Sequence, residues 1–197
     1  MKYYQHVDLP HIETIATTIR EQISRFYFEN TIFKIFPPTK FEHPLLIESV
    51  SKIKPWNEIA HVSIITTQPF AHHKDPDTNI HQDIMTLTEW GQEQAVCLNI
   101  PIYNCDKTYV AIYEQLQDPF RLQGTYKNGH TYEALHWKQD WCREIDRMFL
   151  PKPALFYTQM PHAIINETDE SRIILSIRFS TPIDLDEFTT SELYNTD

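Results

Sequence analysis

The sequence predicts a mainly β protein, a sandwich or barrel with accessory helices. Short runs rich in Ile, Val, Leu, Thr and aromatic residues recur along the chain, punctuated by Pro, Asn and Asp, which is the pattern of many short strands. Helical spacing is clear only near the N-terminus and in one later segment. The 197 residues carry no repeat, low-complexity tract or compositional break, so they are expected to form one domain with the core at about residues 60–180. A chain of that size buries about 70% of its unfolded surface in a single core.

Residues 10–28 are predicted as an amphipathic helix, because Ile12, Ile15, Ala16, Ile19, Ile23 and Phe26 recur at helical spacing behind Pro10, a favoured early-helix residue. It should pack on the outside of a sheet. The predicted strands are 31–36, 45–53, 61–67, 81–86, 95–102, 108–115, 154–158, 162–166 and 172–180. Between them, Leu135, Trp141, Cys142, Ile145, Met148 and Phe149 predict a helix inserted within 130–149. The tail 182–197 is acidic and weakly apolar, so it is either disordered or a flap anchored by Phe188 and Leu193.

Composition excludes several function classes. Seventeen basic against 27 acidic side chains give a formal charge of -10, which opposes binding to a phosphate backbone. The cysteines, Cys97, Cys105 and Cys142, form no Cys-x-x-Cys pair and fit a reduced, cytoplasmic setting. The N-terminus lacks the apolar core of a secretory signal, and no run of about 18 apolar residues predicts a membrane span. The glycines, Gly91, Gly124 and Gly129, build neither a phosphate loop nor a dinucleotide fingerprint. There is no Gly-x-Ser-x-Gly elbow.

Chemistry concentrates in His81, Asp83, His162 and Arg172. In an extended segment, side chains two apart point the same way, so His81-Gln82-Asp83 offers an imidazole and a carboxylate on one face. With His162 this makes two His and one carboxylate, the facial triad of non-heme Fe(II) oxygenases. An exposed loop His-x-Asp is the alternative reading, and His73-Lys74-Asp75 is a rival pair. The rival sits in a polar stretch with Pro76, whereas Ile80-His81-Gln82-Asp83-Ile84-Met85 reads as a strand. For His162 the alternative is a core histidine satisfied by backbone.

Arg172 opens a run in which Arg172 and Arg178 alternate with Ile173, Leu175, Ile177 and Phe179. If the apolar face packs on helices, the arginines point into the barrel, where an anionic ligand would offset a costly buried charge. If 167–171 closes a hairpin, Asn166 faces Arg172, Ile164 faces Ile174 and His162 faces Ser176. Arg172 then lies four residues along from the metal-binding row, about 13 Å away. A five-carbon keto-dicarboxylate, chelating metal at one end, would reach its guanidinium fork. Arg178 could approach the metal-proximal carboxylate. Asn99, Tyr109 and Tyr113 are hydrogen-bonding candidates by strand position, with ordinary packing as the alternative for each.

The ordered set His81-Gln82-Asp83, His162 and, ten residues later, Arg172 resembles the Fe(II)/2-oxoglutarate-dependent dioxygenase superfamily. The Arg172 to Arg178 spacing is similar to the paired arginines of its nucleic acid demethylases, although Ile174 stands where those enzymes have Asn. The segment 95–109 looks like the strand pair after His-x-Asp in small oxygenase-like proteins. The resemblance covers about residues 60–180 and implies a double-stranded β-helix (jelly roll, cupin-like). It implies Fe(II), 2-oxoglutarate as co-substrate and O2, with His81, Asp83 and His162 as metal-binding and catalytic residues. The co-substrate site would draw on Arg172, Arg178, Asn99 and Tyr113. The implied reaction decarboxylates 2-oxoglutarate to succinate and abstracts hydrogen from the substrate, with hydroxylation as the default outcome. Retention of Asp83 argues against halogenation. The expected substrate is a small molecule or a polypeptide side chain. A non-catalytic cupin-like jelly roll that binds a metal or small ligand is the main alternative, and a zinc hydrolase using the same three ligands is another. Neither needs Arg172.

Overall fold

The structure is a computed structural model that describes residues 2–23, 33–70, 80–83, 87–88, 91–92, 94–125 and 131–187. Among these residues the chain runs through β1 (Tyr4–His6), α1 (Ile12–Ile23), β2 (Phe33–Phe36), α2 (Pro44–Val50), β3 (Ile59–Thr67), β4 (Ile80–Gln82), β5 (Leu87–Thr88) and β6 (Gly91–Gln92). It continues through β7 (Val96–Tyr103), β8 (Tyr109–Gln115), β9 (Phe120–Thr125), β10 (Thr131–Trp137), β11 (Cys142–Phe149), β12 (Ala154–Tyr157), β13 (His162–Ile165) and β14 (Arg172–Phe179). Two antiparallel six-stranded sheets result. Their orders are β1-β12-β7-β14-β3-β2 and β11-β8-β13-β4-β10-β9.

The strands that follow one another from β3 onward pass repeatedly from one sheet to the other, with β3, β7, β12 and β14 in the first and β4, β8, β11 and β13 in the second. That interleaving is a double-stranded β-helix, as expected. The hairpin β9–β10 is an addition that extends the second sheet beyond β4.

Strand alternation sorts the core into layers. On β14, Leu175, Ile177 and Phe179 join Val62, Ile64, Leu98 and Ile100 under Ile15 and Ile19 of α1 and Leu46 and Val50 of α2. The helices thus cover the outer face of the first sheet. Ile174, Cys97 and Phe156 instead meet Val110, Ile112 and Met148 of the second sheet in the space between the sheets. Outside the second sheet, Ile80, Ala111, Tyr113, Trp137, Ala163 and Ile165 form a third cluster. No helix among the described residues is long and apolar enough to cross a membrane.

Three expectations change. The segment 45–53 is largely helical: Pro44 occupies the first turn, and Leu46, Ser49 and Val50 bury one side at helical spacing. An apolar run this short does not distinguish helix from strand. The segment 130–149 is not a helix but β10, a short 3₁₀ turn at Gln139–Trp141, and β11. A bulge between Glu144 and Asp146 inserts Ile145 and shifts the strand phase, which gives the apolar residues a three-to-four spacing. The segment 167–171 does not close a hairpin, because β13 and β14 lie in different sheets. Asn166 instead ties this crossover down, donating from Nδ2 to the carbonyls of Thr67, Gln68 and Glu170. The start of the acidic tail is docked, with Ile183 and Leu185 buried in the cluster on the outer face of the first sheet. Phe188 and Leu193, residues 24–28 of the predicted helix, and His73 and Asp75 lie outside the described residues.

Candidate metal centre

β4 ends at Gln82, and its pleat aims His81 and, just past the strand, Asp83 to the same side. His162 opens the neighbouring strand β13 directly opposite His81. One ligand atom from each of His81, Asp83 and His162 falls within a group spanning no more than 4.8 Å. His81 Nε2 and His162 Nε2 stand 3.4 Å and 3.5 Å from the same oxygen, Asp83 Oδ1. Ligands about 2.1 Å from one cation lie about 3.0 to 3.5 Å apart for angles of 90° to 110°, so both separations from Asp83 are those of metal ligands and the three residues form a candidate metal-binding group.

Supporting contacts orient each ligand. His162 Nδ1 lies 2.8 Å from the carbonyl of Met160, which makes Nδ1 the donor and turns Nε2 toward Asp83. Phe156 meets the same ring edge-on at 5.0 Å. The Asp83 amide donates to Thr158 O, and the Asp83 carbonyl accepts from Gln159 Nε2. The second carboxylate oxygen, Oδ2, accepts a 2.6 Å hydrogen bond from Arg178 Nη2. Burial alone would raise the Asp83 carboxyl, but the Arg178 charge and the contacts with His162 and His81 outweigh it. The carboxyl is held well below its ordinary range. Asp83 is therefore an anion with one oxygen engaged by Arg178 and the other directed at both imidazoles.

The facing sheet carries a polar row. The residues of β14 that face inward are Arg172, Ile174, Ser176 and Arg178, paired across β3 with Thr67, Ile65, Ser63 and His61. On the other side of β14, Asn99 lies opposite Ser176 and Cys97 opposite Arg178. Arg172 is wholly buried, and its Nε and Nη1 have no hydrogen-bond partner among the described residues. The buried hydroxyls of Ser63 and Ser176 also lack partners among the described residues. A buried guanidinium is costly unless an anion compensates it, and this row sets that charge among buried hydroxyls. His61 complements it as a neutral group: burial, and then the Arg178 charge, push its imidazole down to about 3.

The sequence-derived residues sort as follows. His81, Asp83 and His162 converge. Arg172 and Asn99 face the same interior, and Arg178 does too, but its described partner is Asp83. Tyr113 does not join them: it is an odd-phase residue of β8, and His162 pairs with its neighbour Ile112, so Tyr113 belongs to the outer cluster with Trp137. Burial, then Glu144, push its phenol up to about 12. Tyr109 shares that outward phase. Sequence reasoning missed Ser63, Ser176 and His61. Their alternation with Val62, Ile64 and Ile177 was the available signal.

No family model matches this chain, and no curated protein sequence matches it significantly. Solved structures with a similar course of chain include the epimerase SnoN in complex with Fe3+, alpha ketoglutarate and nogalamycin RO, at 12% identity over 89% of this chain and 78% of that one, TM-score 0.48. The non-heme alpha ketoglutarate dependent carbocyclase SnoK is 12% identical over 90% and 79%, TM-score 0.47. A Pseudomonas putida prolyl-4-hydroxylase is 10% identical over 89% and 90%, TM-score 0.45.

Proposed function

We propose that the protein is an Fe(II)- and 2-oxoglutarate-dependent dioxygenase that hydroxylates a small molecule or a polypeptide side chain. The observation that carries this reading is Arg172, a wholly buried guanidinium whose Nε and Nη1 have no partner among the described residues, facing the interior that also holds His81, Asp83 and His162. His81 Nε2, Asp83 Oδ1 and His162 Nε2 would hold Fe(II), which supplies the O2 chemistry when bound and keeps positions open for the co-substrate. Arg172 binds the far carboxylate of 2-oxoglutarate. Ser63, Ser176 and Asn99 offer hydrogen bonds between that end and the metal. Arg178 occupies Asp83 Oδ2, which limits the carboxylate to one oxygen toward the metal.

A non-catalytic jelly roll or a three-ligand zinc site gives Arg172 no task, and its burial would then be an uncompensated cost. The charge of -10 disfavours nucleic acid as substrate. Cys97, Cys105 and Cys142 are reduced thiols, which fits the cytoplasm. The test is anaerobic loading with Fe(II) and 2-oxoglutarate followed by exposure to O2. Succinate should form in wild type and not in Arg172→Ala. Absence of both 2-oxoglutarate binding and succinate in wild type would leave the metal-binding jelly roll as the better account.

A further inference from the structure

The metal ligands belong to a longer row of side chains. Across the second sheet, the strand registers place Ile112, His162, His81, His136 and Phe120 opposite one another on five successive strands, β8, β13, β4, β10 and β9. Directly opposed residues in a sheet point to the same side, so His136 and Phe120 continue the ligand face beyond β4. The alternation of β10 agrees, because Leu135 and Trp137 join the outer cluster and His136 is turned the other way. Ring contacts connect the row. His81 lies 4.6 Å from His162 and 5.9 Å from His136, and His136 lies 6.0 Å from Phe120. Trp141 meets Phe120 edge-on at 6.0 Å and anchors it at the sheet margin.

Exposure gives the row a direction. Ile112 is wholly buried and the His162 side chain is 5% exposed, whereas that of His81 is 29% exposed and His136 and Phe120 are both half-buried. The metal centre is therefore closed toward β8 and open toward the β9–β10 hairpin. Strands are about 4.8 Å apart, so Phe120 lies about 10 Å from His81 along this open side. That span accommodates a bicyclic ring system.

We propose that His136 and Phe120 form the substrate floor beside the metal centre and that it takes the planar aromatic ring of a small molecule. This rests on the metal-site reading above and adds the substrate class. The rings favour a π-system because offset and edge contacts between aromatic groups add to simple apolar burial. An extended anionic polymer is disfavoured by the protein's charge.

The test uses 2-naphthol and its saturated analogue decahydro-2-naphthol as probes of equal carbon skeleton. Titration calorimetry on wild type, Phe120→Leu and His136→Leu is run with metal-free and Mn(II)-loaded protein, with thermal melting of each variant to check folding. Wild type should bind 2-naphthol about three- to tenfold more tightly than the saturated probe, and each substitution should remove most of that preference. In the Mn(II) form, the naphthol protons should show strong paramagnetic relaxation. Equal affinity for the two probes, or a preference that survives Phe120→Leu and His136→Leu, overturns the proposal, as does naphthol binding without relaxation by bound Mn(II). The metal-free titrations decide the ring preference even if Mn(II) fails to bind. Titration of 2-oxoglutarate on the same samples separates the two readings. Naphthol selectivity without 2-oxoglutarate binding sinks the oxygenase and keeps the aromatic floor, and the reverse pattern sinks the floor alone.

Discussion

Replacing Arg172 by Met is expected to stabilise the ligand-free protein while removing its hold on 2-oxoglutarate. In the structure Arg172 is wholly buried with Nε and Nη1 unpartnered among the described residues, and burial pushes its pKa downward. A buried polar group left unsatisfied costs about 1 to 3 kcal/mol, and Met fills much of the space with no polar atom. Allowing for imperfect packing, a gain of about 1 kcal/mol should raise the melting temperature by about 2 to 4 °C for a chain of this length. The binding effect has the opposite sign. Removing one partner of a buried charge pair costs about 3 to 5 kcal/mol, so 2-oxoglutarate affinity should fall at least about a hundredfold. Pyruvate has the same keto acid without the far carboxylate, and its affinity should be low in wild type and unchanged by the substitution. Arg172→Lys should recover part of the loss, keeping the charge without the bidentate fork. The assay is anaerobic calorimetry of both keto acids on metal-loaded protein, with thermal melting of the ligand-free forms. A destabilised Arg172→Met that binds 2-oxoglutarate as wild type does would refute the reasoning, since it would mean the guanidinium is structural.

His81→Ala, Asp83→Ala and His162→Ala should each sharply weaken Fe(II) binding, while His73→Ala leaves it intact, as read by calorimetric titration; loss of binding in His73→Ala would reassign the motif. Arg178→Gln frees Asp83 Oδ2 and should lower metal affinity about 10- to 100-fold, the usual cost of losing an outer partner, with Arg178→Lys intermediate. Acid should weaken the fold through His61. Its imidazole is held down at about 3 in the fold against 6.5 in the unfolded chain, so below pH 6.5 the unfolded state binds the extra proton. Stability then falls from about pH 6.5 toward pH 3 by up to about 1.4 kcal/mol per pH unit, and the depressed Asp83 carboxyl adds a loss in the same direction at lower pH. Urea unfolding between pH 7 and pH 4 should be less steep in pH for His61→Gln, and identical slopes would exclude His61 as the source. Oligonucleotide binding should be weak at physiological salt, and submicromolar, salt-sensitive binding would contradict the charge argument.

Features that depend on neighbours two residues away were legible in the chain. His81 and Asp83 share a side because an extended backbone alternates its side chains, and Arg172 and Arg178 turn inward because Ile173, Leu175, Ile177 and Phe179 require an apolar cover. The same local reasoning placed most strands and α1, and it failed where local pattern is ambiguous, at α2 and at the bulged β11. Strand pairing belongs to the tertiary structure alone, since sequence alternation chooses a face without choosing the sheet. His162 and Arg172 were expected to share a hairpin face. They instead meet across two sheets, because 166–171 is a crossover pinned by Asn166. Tyr113 turned outward for the same reason: the register that set Ile112 against His162 determined the phase of all of β8. The pairing of Arg178 with Asp83, the polar row of Ser63, Ser176 and His61, and the extension of the ligand row to His136 and Phe120 all join residues distant in the chain. Their positions were decided by long-range register, which the chain's local preferences do not encode.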